Sequence, residues 1–271
     1  MKFLLSLLAL SLLCAPLLAA PVRLAIIIDD LGNSLTSGLD AIALPGNISF
    51  AVMPHRKHSH TLATRAGRLG KEVLLHAPMS TIRRRALGPG GLHEGLNEQQ
   101  FKDTLAYAID SIPYVRGINN HMGSQLTSHP TYMGWVMQVL QTKGLFFIDS
   151  RTHPRSIAHQ TALQAGIHSA RRDIFLDNET NIDHIHQQFK RALGIAQRYG
   201  SAIAIGHPYP STLLYLKEVL PQLDRNRVEL HFISDLLIGG MQPRPLDAQH
   251  VPDLPQPSLD QLVHKLRAAN H

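Results

Sequence analysis

The chain has 271 residues, 44% hydrophobic and 17% charged, which is too apolar for disorder and long enough for one large α/β domain or two small ones. The formal net charge is +6 and the pI about 9.6. Apart from Arg83, Arg84 and Arg85 the basic residues are scattered and not interleaved with aromatics, which excludes the usual pattern of a nucleic-acid binder; no repeat at a solenoid period occurs either.

In chain order, the first element is a leader. Lys2 gives a positive start, an apolar run spans Phe3 to Leu13, and small residues follow at Ala19 and Ala20. That is the layout of a secretory signal peptide over 1–19, cleaved after Ala19. The run is shorter than the roughly 20 residues a membrane span needs, and Pro16 interrupts it, so no stable membrane anchor is expected after cleavage. Cys14 is the only cysteine. The mature chain then has no disulfide and no thiolate site, which suits a bacterial periplasmic or secreted protein. Any metal must be held by nitrogen and oxygen, and the chain offers 17 histidines.

Past the leader, short apolar runs alternate with helical patterns. The runs begin at Leu24 (LAIIID), Ile48 (ISFAVM), Glu72 (EVLLH), Gly144 (GLFFID), Ser201 (SAIAIGH) and Glu229 (ELHFIS). Short strands around Gly117–Asn120 and Arg172–Leu176 are also expected. Gln99–Ile112, Met133–Thr142, Ile182–Tyr199 and Leu213–Leu223 carry apolar residues at helical spacing, the last with Ser211 and Thr212 as caps. This alternation predicts a mostly parallel sheet with covering helices, open or closed into a barrel, over 20–242. Residues 243–271 read as a proline-rich extended tail, ending either in a short helix or in nothing ordered.

Nearly every apolar run ends in a polar group that is costly to bury. Asp29 and Asp30 follow the first, His76 the third; Asp149 and Ser150, His207, and Ser234 and Asp235 follow later ones. Parallel α/β folds build ligand sites at the carboxyl ends of their strands, so these residues are expected to converge on one rim. Taken singly, a carboxylate there is as well read as a helix cap, and Asp30 as a turn residue. Aspartate with two histidines is a recurrent set for zinc or a similar divalent ion, and a second carboxylate and a further histidine supply base and acid. Adjacent strand residues point to opposite sides, so Asp29 and Asp30 are expected to divide these roles. No G-x-S-x-G elbow, P-loop or GxGxxG occurs. His184 and His186 sit two apart in a helical pattern and read as surface.

The segments IIIDDLG, FAVMPH, EVLLHAPM, GINNHMGSQLT, FFIDSRT, RDIFLDN and AIAIGHPYPST, in this order, resemble the divergent polysaccharide deacetylase family, relatives of NodB-type carbohydrate esterases, from about Leu24 to Asp235. The resemblance implies an α/β fold, a NodB-like distorted (β/α) barrel of about seven mostly parallel strands with surrounding helices. It implies Asp29 as general base, Asp30 and His76 as metal ligands, and His207 as general acid, oriented by Asp149 or Asp173, with Asp177 better suited to a turn. Where the family pattern has a second histidine four residues after the first, this chain has Ser80, and His121 is the candidate for the missing ligand. Asn119, Asn120, Ser124 or a backbone N–H near Gly123 stand where an oxyanion donor is wanted. The implied function is a zinc-type, metal-dependent removal of acetyl groups from an envelope glycan such as peptidoglycan. The alternatives are hydrolysis of another bond, such as an ester or phosphoester, at the same metal, and a non-catalytic glycan-binding or scaffold protein.

Overall fold

The structure is a computed structural model that describes residues 20–225, 227–241, 259–261, 263, 264 and 266; the expected leader and most of the expected tail lie outside them. In chain order the elements are β1 (Val22–Leu31), α1 (Leu35–Ile42), β2 (Ile48–Val52), α2 (Ser59–Arg68), β3 (Glu72–Met79), α3 (Glu98–Asp110), β4 (Val115–Met122), α4 (Pro130–Lys143), β5 (Phe146–Asp149), α5 (Ala158–Gln164), β6 (Ser169–Arg171), β7 (Ile174–Phe175), α6 (Ile182–Tyr199), β8 (Ser201–Gly206), α7 (Pro210–Val219), β9 (Val228–His231) and α8 (Ile233–Ile238). None of the helices among the described residues is long and apolar enough to cross a membrane.

The strands run β6-β5-β4-β3-β2-β1-β8-β7, with β9 beside the start of β1, and every pairing is parallel. Among the described residues nine strands therefore form the sheet where about seven were expected; β6, β7 and β9 are short. The sheet curls into a half-barrel, and two consecutive residues between β6 and β7 bond to strands on either side of the gap. The Arg172 N–H donates to Asp149 O on β5 and the Asp173 N–H to Ile203 O on β8, each at 2.9 Å. The Arg172 side chain also donates to the carbonyls of Ser150 and Arg151 and stacks on Phe175.

Strand side chains alternate between two faces, and both are apolar here because both are covered. Leu24, Ile26 and Ile28 of β1 join the large core between sheet and helices. Ala25 and Ile27 face inward with Ala51, Leu74, Ile148, Ile203 and Ile205, packed against Ile233 and Leu236 of α8. Gly117 belongs to that inner layer because the Phe146 ring occupies the space a Cβ would need, at 2.3 Å. Helix α8 plugs the amino end of the barrel. Its first N–H groups, those of Ile233 and Ser234, donate to the buried Glu72 carboxylate, which also accepts from Ser49 Oγ at 2.8 Å. Burial pushes the Glu72 carboxyl up, against these hydrogen bonds.

Three expectations change. The run from Glu229 is a four-residue strand followed by α8, so Ser234 and Asp235 lie at the plugged end and not on the rim. Helix α7 starts at Pro210, not after Thr212, because proline is preorganised for a first helical turn. His186 is buried, not on the surface: Nδ1 meets Tyr215 Oη at 2.9 Å and Nε2 meets Asp260 Oδ1 at 2.6 Å. Asp260 belongs to the expected tail, where Leu259, Asp260, Gln261, Val263, His264 and Leu266 are helical and Leu259 and Val263 enter the main core.

Replacing Glu72 with alanine leaves the Ser234 N–H and the Ser49 hydroxyl without their acceptor in a dry layer, and leaves the Ile233 N–H with Ser49 Oγ alone. We expect a loss of roughly 2–3 kcal/mol in denaturant unfolding, with Glu72→Gln, which keeps one acceptor, losing less.

Candidate metal centre

The inner face of the barrel changes character two residues above its apolar layer. Along β1 the inward column runs Ala25, Ile27, Asp29; along β3, Glu72, Leu74, His76; along β4, Gly117, Asn119, His121; along β8, Ile203, Ile205 and then His207. Period-2 alternation alone carries these side chains to one mouth. Asp30 is of the opposite parity and should face the helices. It does not, because its backbone is left-handed, with φ 61°, and the β1–β2 register shifts between Ile28 and Leu31. Both aspartates therefore approach one imidazole: His76 Nε2 lies 3.6 Å from Asp29 Oδ2 and 3.3 Å from Asp30 Oδ1. The expectation that they point to different sides is corrected by this bulge.

Asp30 Oδ1, His76 Nε2 and His121 Nδ1 form a near-equilateral triangle, with sides of 3.3 Å, 3.0 Å (Asp30 to His121) and 3.1 Å (His76 to His121). Those three residues can hold one ion. For ligand bonds of about 2.0–2.1 Å, a tetrahedron has edges of about 3.3–3.4 Å, so the three atoms are close to the spacing a divalent ion requires. A second observation agrees. Asp30 Oδ1 is buried and makes no hydrogen bond of good geometry, although two imidazole nitrogens stand beside it. A buried carboxylate oxygen without a hydrogen bond is rare. The donor set and the orphaned oxygen fit a bound cation.

The electrostatics are those of crowded, mutually dependent charges. Burial raises the Asp29 carboxyl above the usual carboxylate range, outweighing His76 and His207, which oppose it. Burial acts the same way on Asp30, but the two imidazoles win and hold that carboxyl well below the usual range. At His76 burial disfavours the charged form, yet Asp29 and Asp30 raise its pKa.

His207 is oriented by Asp177, not by Asp149 or Asp173. Its Nδ1 meets Asp177 Oδ1 at 2.9 Å and its backbone N–H donates to Asp177 Oδ2 at 2.6 Å; Thr212 Oγ1 donates to the same oxygen at 2.8 Å. Burial opposes protonation of His207, but Asp177 prevails and lifts its pKa to about 9. Asp149 sits on the outer face of β5, in the parity of Phe147, where it accepts from the Arg151 N–H and from Ser156 Oγ. The Asp173 carboxylate accepts from the Ile203 N–H.

The expected oxyanion donors are also displaced. The Asn119 amide is fully enclosed and donates to Asp29 Oδ1 at 2.8 Å and Ser150 Oγ at 3.3 Å. Asn120 faces outward, donating to Met122 O and accepting from the Ser150 N–H. Ser124 lines an adjoining cleft of about 270 Å³ with Ile82, Gln125, His129, His153 and Arg155, and its Oγ accepts from the Ile82 N–H. Ser80, in the place of a family histidine, donates to Glu94.

A family model described as "Divergent polysaccharide deacetylase" matches residues 26–237. A protein of Haemophilus influenzae (strain Rd) is 39% identical over 201 residues, 74% of this chain and 72% of that one. The protein YibQ of Escherichia coli (strain K12) is 38% identical over 201 residues, 74% of this chain and 63% of its own length. Among solved structures, ATU2773 of Agrobacterium tumefaciens C58 superposes with a TM-score of 0.77 at 23% identity, covering 80% of this chain and 90% of that one. The catalytic domain of a peptidoglycan N-acetylglucosamine deacetylase from Eubacterium rectale gives 0.53 at 13% identity, covering 84% and 97%. At these identities the superpositions speak to the fold, which is that of the family 4 carbohydrate esterases.

The Asp177–His207 pair is testable without substrate. In an NMR pH titration of the metal-free protein, His207 should keep its proton until pH rises through about 9. In Asp177→Asn the largest attraction is gone while burial and the weaker pull of Asp29 and Asp30 remain, so the titration should move to lower pH.

Proposed function

The chain belongs to the divergent polysaccharide deacetylase family, and from that premise we propose that it is a metal-dependent hydrolase of the bacterial envelope that removes acyl groups from a glycan. The observation that carries this reading is the triangle of Asp30 Oδ1, His76 Nε2 and His121 Nδ1, with a spare carboxylate, Asp29, at its edge. Export to the periplasm, suggested by the leader, would bring the site to such a substrate, and zinc is the ion we propose for this Asp/His₂ set, which also suits manganese, cobalt or nickel.

When bound there, a divalent ion lowers the pKa of a water and polarises an acyl carbonyl. The chain's own residues do the rest. Asp29 accepts the proton of the attacking water at Oδ2, the oxygen on the triangle's side. His207 has Nδ1 tied to Asp177, which leaves Nε2 to deliver a proton to the departing amine or alkoxide. The raised pKa of His207 keeps that proton in place at neutral pH.

A second reading has its own observation. The side-chain amides of Asn119 and Asn120 are already hydrogen-bonded within the protein, so neither aids an oxyanion, and the site can bind a glycan without turning it over. A crystal structure described as a family 4 pseudoenzyme mutant with restored activity has the same fold at a TM-score of 0.50 and 13% identity.

Both readings meet in one set of measurements. Asp30→Ala and His121→Ala should abolish stoichiometric zinc binding, while Asp29→Asn should keep the zinc and lower acetate release from N-acetylglucosamine oligomers or peptidoglycan by about 10²–10⁴-fold. Full zinc content in both ligand variants would sink the ligand assignment. A zinc-loaded wild type that binds glycan and releases no acetate would establish the second reading.

A further inference from the structure

Asn119 lies on the inner face of β4, opposite His76 in the β3–β4 register, and its amide reaches across the barrel to Asp29 on β1. It is wholly buried, so its oxygen and both N–H groups need partners inside the protein. The oxygen lies 2.7 Å from His76 Nδ1. The nitrogen lies 2.8 Å from Asp29 Oδ1 and 3.3 Å from Ser150 Oγ.

Only one orientation of this amide is consistent with an ionised Asp29. A carboxylate has no proton to give, so the NH₂ must face it; the flipped amide would set oxygen against oxygen at 2.8 Å. The amide oxygen then faces His76, and the imidazole must bring the proton, on Nδ1. A neutral imidazole carries a single N–H, so Nε2 keeps its lone pair. Nε2 is the nitrogen that faces Asp30 Oδ1 and His121 Nδ1.

We infer that Asn119 is a positioning residue that sets two groups at once. It holds His76 as the Nδ1–H tautomer with the Nε2 lone pair aimed into the triangle, and it pins Asp29 through Oδ1 so that Oδ2 is the oxygen turned toward the same point. The inference rests on the proposed reading of Asp30, His76 and His121 as a cation site. It also accounts for the residue type. Metal-binding histidines usually lean on a carboxylate or a carbonyl. A carboxylate at position 119 would stand against Asp29 Oδ1 and add a third negative charge beside Asp29 and Asp30. An uncharged amide accepts from the histidine and donates to the aspartate through two different atoms, which an aliphatic side chain or an ionised carboxylate cannot do.

The test separates the two roles with two substitutions. Asn119→Leu keeps the shape and removes both hydrogen bonds. Asn119→Asp keeps an acceptor for His76 but faces Asp29 with a second carboxylate, so the pair holds a proton between them and Asp29 cannot take another. The readouts are the His76 tautomer, from long-range ¹H–¹⁵N correlation on histidine-labelled metal-free protein, zinc affinity by direct titration, and acetate release. Read above the pH at which His76 becomes neutral, we expect the Nδ1–H tautomer in wild type and Asn119→Asp, and its loss in Asn119→Leu. Zinc affinity should fall by about 10- to 100-fold in Asn119→Leu and stay within a few-fold of wild type in Asn119→Asp, while acetate release falls in both. Wild-type zinc affinity together with an intact Nδ1–H signal in Asn119→Leu would overturn the inference. If that variant does not fold, loss of the Nδ1–H tautomer in a folded Asn119→Asp overturns it equally. Should the wild type release no acetate, the proposed hydrolysis fails while the tautomer and zinc measurements still decide the role of Asn119.

Discussion

A carboxylate at the mouth of an apolar barrel is tolerable only in company. Burying an isolated ionised group costs several kcal/mol even after relaxation, and the layer beneath Asp29 is made of alanine, isoleucine and leucine. Each charged group at this mouth offsets the burial of another. His76 faces both aspartates, His121 faces Asp30, Asn119 ties Asp29 to His76, and Asp177 supports His207. The orphaned oxygen of Asp30 marks the one place where this mutual support is incomplete without a cation. The plugged end obeys the same rule with one carboxylate, Glu72, capped by backbone and hydroxyl donors.

Precision at the mouth is obtained by breaking the strands where they end. Asp30, His55, Met122 and Arg151 all adopt positive φ without being glycine, and they end or follow β1, β2, β4 and β5. Each such residue costs roughly 1–2 kcal/mol, an expense borne only where surrounding structure over-determines it. At Asp30 the return is visible: a side chain that should point at helices is turned into the barrel. A regular strand would deliver a single carboxylate per strand end; this one delivers two.

Much of this was legible in the chain. The apolar runs found β1, β2, β3, β5 and β8, and helix α6 falls where its periodicity predicted it, from Ile182 to the stop at Gly200. The short strand expected around Arg172–Leu176 contains β7, whereas the three-residue β6 and the short helices α1, α2, α5 and α8 carry too few residues for periodicity to stand out. The site was legible by strand ends, and the resemblance named Asp30, His76 and His121, which the fold brings together. The misassigned partner of His207 and the misplaced oxyanion donors share one cause, which is that alternation was not followed past each strand's end. Counting by twos from Phe175 reaches Asp177, and from Ile148 reaches Ser150, so Asp177 faces the site and Asp149 does not. The same count separates Asn119, facing inward, from Asn120. What no count reveals is the bulge at Asp30, because the left-handed turn leaves no signal in residue type beyond an aspartate before Leu31.

The packing of residues 259–266 has a consequence for what counts as the unit of this fold. The stretch matched by the family model stops at residue 237, but the main core does not. Leu259 and Val263 are part of it, and Asp260 supplies the carboxylate that satisfies the enclosed His186 and meets Lys190. The inherited domain and the cooperative folding unit thus have different ends. A fragment cut at the edge of the shared stretch would carry every group of the rim and still expose an apolar footprint beside a histidine stripped of its carboxylate.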